Sequence, residues 1–209
     1  MKIDKTSFGE FQNKNLSTEI FNRHAVIRFT RPEIKNPLSV ETIVELERVF
    51  TALDSNPSIE NIIFTGSGDT FAAGANLYEV SQLNEETARK FGLRGQNTMQ
   101  KIYRSGKQTF AAIDGFCMGG ALDLALSCKK RVASFGSVFA HPGASLGIIT
   151  GWGGTQLLPQ LIGKKKALEM FLTAKRVGAR EALEIALIDE IAENPVEYLL
   201  AKGDLNQSS

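Results

Sequence analysis

Glycine and other small residues gather at three places in the chain: Phe71-Ala-Ala-Gly-Ala75, Met118-Gly-Gly-Ala-Leu-Asp123 and Gly147-Ile-Ile-Thr-Gly-Trp-Gly-Gly-Thr-Gln156. Glycine admits positive φ and lets a ligand approach the main chain closely, so such loops present backbone N–H groups. The N–H just after Gly74 and that of Gly120, where a helical run opens, can converge on one oxygen. The helix N-terminus would add positive potential there, and this is the chemistry that stabilises an enolate or thioester oxyanion. Composition alone allows the same residues to be two tight turns. A dinucleotide fingerprint fails, because Gly66-Ser67-Gly68 is followed by Phe71 at the position of the third glycine, and no phosphate loop ending in Gly-Lys-Ser/Thr is present.

The elements that must hold these junctions are legible as alternating periodicities. Residues 16–21 and 24–29 read as two strands of a hairpin around Asn22-Arg23. Ile43, Leu46, Phe50 and Leu53 recur at helical spacing over residues 39–54, with Ser39 as N-cap and Glu41 in the first turn. Asn61-Ile-Ile-Phe-Thr65 is a compact apolar run that reads as a buried strand, followed by a small-residue loop and a helix over about 85–105. Strand signals recur at 109–113, 131–134, 137–140 and 187–191, and helix signals at 121–128, 155–162, 164–173 and 180–186. Short strands alternating with helices across glycine-marked junctions predict an α/β fold of stacked β-β-α units. Residues 1–192 form a single domain in this reading, and residues 193–209 a short polar C-terminal tail with a frayed end.

Composition narrows the function classes. The 209 residues are 43% hydrophobic and carry a net charge of +1, which gives no electrostatic case for nucleic acid or an anionic membrane surface. Cys117 and Cys128 lack metal-site spacing and read as reduced, partly buried thiols; no metal site is expected. The first fifteen residues lack an apolar segment, and no apolar run reaches the roughly 18 residues of a membrane span, so a cytoplasmic location is the default expectation.

The ordered motifs carry a family resemblance. Phe71-Ala-Ala-Gly-Ala-Asn-Leu-Tyr-Glu79 resembles the F-x-A-G-A-D-L-x-E loop of the crotonase (enoyl-CoA hydratase/isomerase) family. Residues 111–134 are similar to its A-x-x-G-x-x-x-G-G-G-x-E-L-A-L-x-C-D-x-R-x-A segment, and the stretch from Phe139 to its F-x-x-P-E-x-x-L-G-x-x-P-G-x-G-G-T-Q-x-L-P-R-x-x-G. Arg31-Pro-Glu-Ile-Lys-Asn-Pro-Leu38 matches R-P-x-x-x-N-A-L. The likeness runs from about residue 16 to 192 and implies a crotonase-like spiral whose C-terminal helical region is shortened.

Carried over position by position, the resemblance puts oxyanion-hole amides at Ala75 and Gly120, and places Lys35, Ala73, Gly74, Asn76 and Leu77 around the adenine and pantetheine of coenzyme A. Lys35 reads equally as a solvated surface charge. Coenzyme A enters as part of an acyl-CoA substrate, with no permanently bound cofactor, and the usual assembly would be a homotrimer or hexamer. Hydratases of the family use two glutamates; the first aligns with Asp123, three residues after Gly120, and the second with Gly143, where the side chain is missing. One carboxylate suits a reaction needing a single base, such as moving a proton between the α- and γ-carbons of an unsaturated acyl-CoA, so isomerisation is favoured over hydration. His141, two residues before the vacant position, is a second candidate base or orienting group; His24 reads as structural, and Trp152 as acyl-pocket wall or core. The rival readings are an acyl-CoA binding or regulatory protein without turnover, and a decarboxylase or thioester hydrolase on the same scaffold.

Overall fold

The computed structural model describes residues 13–205; the N-terminal segment read above for a targeting signal and the last four residues of the tail lie outside the described residues. The chain opens with β1 (Leu16–Phe21) and β2 (His24–Phe29), an antiparallel hairpin in which Phe21 pairs with His24. A 3-10 turn (Pro32–Ile34) leads to β3 (Pro37–Leu38) and helix α1 (Val40–Asp54). Ser39 caps α1, its side chain accepting from the Thr42 N–H, and Ile43, Leu46, Val49, Phe50 and Leu53 form its buried stripe.

Three successive units then build the body. In the first, β4 (Asn61–Thr65) is followed by β5 (Thr70–Ala72), a short β6 (Gly74–Ala75), and helices α2 (Leu77–Ser81) and α3 (Glu85–Arg104). The second runs β7 (Gln108–Ile113), β8 (Phe116–Met118) and α4 (Gly120–Ser127). The third runs β9 (Lys130–Ala133), β10 (Val138–Ala140), a 3-10 turn (Pro142–Leu146), α5 (Gly154–Ile162) and α6 (Lys164–Thr173). The chain continues through β11 (Val177–Gly178), α7 (Ala179–Glu184), β12 (Glu190–Ile191) and α8 (Pro195–Leu205).

The topology is a spiral. A six-stranded sheet has the order β1-β2-β4-β7-β9-β12 and a four-stranded one β11-β10-β8-β5, so each unit places its first strand in the larger and its second in the smaller, while β3 and β6 pair in a separate two-stranded sheet. Between successive units, β4, β7 and β9 pair in parallel, as do β5, β8 and β10. Parallel strands covered on both faces read as continuous apolar runs, and Ile62, Ile63 and Phe64 of β4 are all buried. Helix α4 is apolar all round apart from Asp123 and Ser127, and every residue from Ala121 to Ser127 is buried, so the element that begins at Gly120 is the centre of the molecule.

The fold departs from the sequence reading after residue 192. The segment assigned to a polar tail holds α8, and its reason is visible: the Asn194 side chain accepts from the Glu197 N–H at 3.3 Å, Pro195 occupies the first helical position, and Val196, Leu199 and Leu200 fall at helical spacing. Leu199 is buried against Val26, Ile63, Ala112 and Val132, the outer face of the larger sheet. Full burial of one such leucine contributes about 1.5–3 kcal/mol to docking α8 on the sheet. Among the described residues no helix is long and apolar enough to cross a membrane.

Candidate functional site

The two glycine junctions meet. Gly74 has φ +90°, and a Cβ built there would lie 2.5 Å from the Met118 carbonyl oxygen and 3.0 Å from the Gly120 nitrogen. Only glycine lets the β6 backbone come this close to the start of α4. Gly119, at φ 53°, turns the chain into α4 while its own N–H donates to the Ala140 carbonyl at 2.9 Å, which ties the junction to β10. Gly120 is the first residue of α4, so its N–H lacks an intrahelical acceptor.

The loop before β3 is fixed to the first junction by buried polar groups. The Asn36 amide donates to the carbonyls of Ser67 and Thr70 at 3.0 and 2.7 Å, and the Lys35 carbonyl accepts from the Ala73 N–H at 3.0 Å. The exposed Lys35 ammonium pairs with both oxygens of Asp69 at 2.8 Å, and this contact holds the Asp69 carboxyl below the usual range. Asn76 caps α2, its side chain accepting from the N–H groups of Tyr78 and Glu79.

A cavity of about 270 Å³ is lined by Ala73, Ala75 and Leu77 and by Gly120, His141, Thr150 and Trp152, together with apolar residues that include Phe91 and Ile149. Lys35, Gly74 and Asn76 do not line it: they shape the loops that do. Such a cavity, apolar with a few backbone donors at one end, suits an apolar chain ending in a polar carbonyl.

Asp123 stands behind the wall. Its residue exposure is 0%, and it is absent from the cavity lining. One carboxylate oxygen, Oδ2, accepts a short hydrogen bond from the Thr150 hydroxyl and a longer one from the Trp152 N–H at 3.3 Å. The other, Oδ1, has no hydrogen-bond partner among the described residues, and His141 Nε2 lies 3.7 Å from it. Burial raises the carboxyl from its usual 3.8 to about 7, against the opposing pull of the Thr150 hydroxyl and the Trp152 and Gly154 backbone. Gly154 makes room for the group, since a Cβ there would fall 2.1 Å from Oδ1. His141 is buried with its ring 5.0 Å from that of Phe171, and burial lowers it to about 4, so it is neutral at pH 7.

Sequence reasoning singled out Ala75, Gly120, Asp123 and His141; the structure puts Ala75, Gly120 and His141 in the cavity lining, with Asp123 behind it and 3.7 Å from His141 Nε2. It did not single out Thr150, the one hydroxyl joining cavity and carboxylate; the signal available was a threonine where the resembled motif carries proline in P-G-x-G-G-T-Q. Trp152 is both of the things it was read as, being 4% exposed and part of the cavity wall. Gly143 leaves no space for a longer side chain, because a Cβ there would meet the Ile148 carbonyl oxygen at 2.5 Å. Residues 143–147 spell G-x-S-x-G, a motif that the sequence reading took to be absent. They form a 3-10 turn with Ser145 exposed and, among the described residues, without a side-chain hydrogen bond, so no nucleophile elbow is built there. No group of three or more metal-ligating side chains occurs among the described residues.

Comparison with known proteins gives the chain's family. The family model described as enoyl-CoA hydratase/isomerase matches residues 19–202. A crotonyl-CoA hydratase of Syntrophomonas wolfei is 37% identical over 187 residues, covering 89% of this chain and 72% of the relative. A short-chain-enoyl-CoA hydratase of Clostridium acetobutylicum is 34% identical over 180 residues, covering 86% and 69%. Among solved structures, Pseudomonas aeruginosa DspI superposes with a TM-score of 0.89 at 29% identity, over 98% of this chain and 84% of that one. An enoyl-CoA hydratase from Bacillus anthracis gives 0.84 at 31% identity, over 92% and 74%.

Proposed function

The chain belongs to the enoyl-CoA hydratase/isomerase family and is an acyl-CoA enzyme of that type, and we propose that it shifts the double bond of an unsaturated acyl-CoA by way of an enolate. The thioester oxygen sits between the N–H groups of Ala75 and Gly120, where negative charge develops as the α-proton leaves. Loss of one such donor costs about 2.7–4 kcal/mol of transition-state stabilisation. Coenzyme A enters past Ala73 and Leu77, with Gly74 and Asn76 shaping the loop, and its phosphates compete with Asp69 for Lys35. The acid-base capacity rests on Asp123, with His141 a neutral neighbour whose Nε2 stands 3.7 Å from the carboxylate.

The observation that carries isomerisation over hydration is Gly143. Hydration holds a water between two acceptors, and the second acceptor has neither a side chain nor the space for one. A carboxyl near pH 7 in its protonation can accept a proton from the α-carbon and return it at the γ-carbon. The test compares purified protein on trans-3-hexenoyl-CoA and on crotonyl-CoA: isomerisation should exceed hydration by at least about 10-fold, in line with one acid-base group instead of two. Hydration is the second reading, favoured by the two relatives named as hydratases, and equal or faster hydration would establish it. The family resemblance also supports assembly as a homotrimer or a hexamer, which analytical ultracentrifugation checks directly.

A further inference from the structure

Asp123 is sealed from the cavity, and among the described residues the only side chain that both lines the cavity and is hydrogen-bonded to its carboxylate is Thr150. From this we infer that the Thr150 hydroxyl is the catalytic group that meets the substrate, passing protons between the acyl chain and Asp123. The inference rests on the enolate reading above and adds to it the residue through which the carboxylate acts.

Thr150 Oγ1 donates to Asp123 Oδ2, and its methyl group faces Gly154, where a Cβ would lie 2.9 Å from Cγ2. The hydrogen bond fixes the hydroxyl on the carboxylate, and the missing side chain at Gly154 leaves room for the methyl group in that orientation. His141 also lines the cavity, but its Nε2 is 3.7 Å from Oδ1, beyond hydrogen-bond range, and carries no bond in this arrangement.

The step balances without a further reactant. The α C–H bond of a 3-enoyl thioester breaks, its proton bonds to Thr150 Oγ1, and the original hydroxyl proton moves to Asp123 Oδ2. The electron pair spreads through the conjugated system to the thioester oxygen. In the return step the γ-carbon takes the proton now on Oγ1, Asp123 gives its proton back to Oγ1, and the electrons settle as the α,β double bond. Threonine and aspartate end as they began, and the hydrogen removed from the α-carbon is the one delivered to the γ-carbon.

The test uses butyryl-CoA, which can neither isomerise nor be hydrated, in D2O, with α-proton exchange followed by NMR. Wild-type protein should exchange the α-protons over many cycles of removal and return, because the Thr150 hydroxyl lines the cavity and takes up deuterium from solvent between cycles. Thr150→Val, which keeps the shape and removes the hydroxyl, should slow exchange by about 10²-fold or more with KM changed less than about 3-fold, and Thr150→Ser should recover to within about 10-fold of wild type. Asp123→Asn, which keeps the hydroxyl and leaves it an amide oxygen to donate to but removes the group that takes its proton, should lose exchange to a similar degree and serves where valine disturbs the loop. Wild-type exchange retained in folded Thr150→Val would overturn the relay alone. So would Thr150→Ser as slow as valine, the mark of a packing role, or exchange lost only in His141→Gln. A wild-type protein with no exchange would overturn the enolate reading and the relay with it.

Discussion

The indole of Trp152 closes on the backbone of Gly120, such that a Cβ on that glycine would fall 2.6 Å from ring atoms Cε3 and Cζ3. On its other edge the ring meets Gly95 of α3, where a Cβ would lie 2.2 Å from Cδ1 and Nε1. Two glycines thus clamp one side chain against the start of α4, and the amide proposed to hold the thioester oxygen is positioned by a ring as well as by a helix.

Gly120→Ala should displace that ring or the first turn of α4. Overpacking of this kind costs about 1–3 kcal/mol of stability, and a misplaced oxyanion donor should lower kcat about 10²-fold. Thermal unfolding and steady-state rates check the two effects separately. A double variant with Trp152→Ala relieves the clash, and turnover that returns with it would show that the ring, not the methyl group at the amide, had been the cause.

Trp152 also separates two spaces. It lines the cavity of about 270 Å³ and, with Gly151, a second one of about 460 Å³ bounded by Met99, Tyr103 and Leu157. Trp152→Leu should open one into the other. The expected outcome is a shift in preference toward longer chains, with the ratio of kcat/KM for decenoyl-CoA over hexenoyl-CoA rising about 10-fold, the scale that one or two added methylenes contribute in an apolar pocket. An unchanged ratio in folded protein would place the chain terminus elsewhere.

Gly143→Glu should not create a hydratase. The residue has no positive φ to forbid a side chain, but the Ile148 carbonyl occupies the space, and the Ile148 N–H also donates to the Gly143 carbonyl at 3.0 Å. The loop must open to admit the glutamate. The expected result is a lower melting temperature with no gain in crotonyl-CoA hydration; a measurable gain would mean that the 142–149 segment rearranges at little cost.

Stability should depend on pH in a way that exposes the buried pair. Asp123 is raised from 3.8 to about 7, and His141 is lowered from 6.5 to about 4. Between pH 4 and 6.5 the folded pair holds one proton and the unfolded pair also holds one, so the pair adds almost no slope. In Asp123→Asn only His141 remains: the unfolded state binds the extra proton, and stability should rise with pH across about 4 to 6.5 by roughly 3 kcal/mol. In His141→Gln only Asp123 remains: the folded state binds the extra proton, and stability should fall across about 4 to 7 by roughly 4 kcal/mol. Urea unfolding at each pH reads both slopes as differences from wild type, and two variants with slopes of the same sign would contradict the burial of the pair.

Much of this was legible in the sequence because it is written in local patterns. The α1 stripe, the Ser39 cap, the apolar run of β4 and the glycines at 74 and 120 each announce a geometry that a few neighbouring residues determine. The position of Asp123 three residues after Gly120 placed it on the correct helix but not relative to the cavity. Its seclusion depends on Thr150 and Trp152, which arrive from a loop 27 and 29 residues later in sequence. The fit of Trp152 between Gly95 and Gly120 is likewise a contact among three elements, with no trace in any one of them. Helix α8 had a readable signature in Asn194-Pro195 and the apolar spacing after it, masked by the polar residues that follow.

The central claim is that one acid-base group carries a hydrogen from the α- to the γ-carbon of an enoyl thioester. The measurement that tests it most directly is the product formed from trans-3-hexenoyl-CoA deuterated at its α-carbon, analysed by NMR and mass spectrometry. Isomerisation through Asp123 and Thr150 predicts 2-hexenoyl-CoA with deuterium at the γ-carbon. A 3-hydroxyacyl-CoA as the main product, or a 2-enoyl product whose γ-carbon gained only solvent hydrogen, would contradict it.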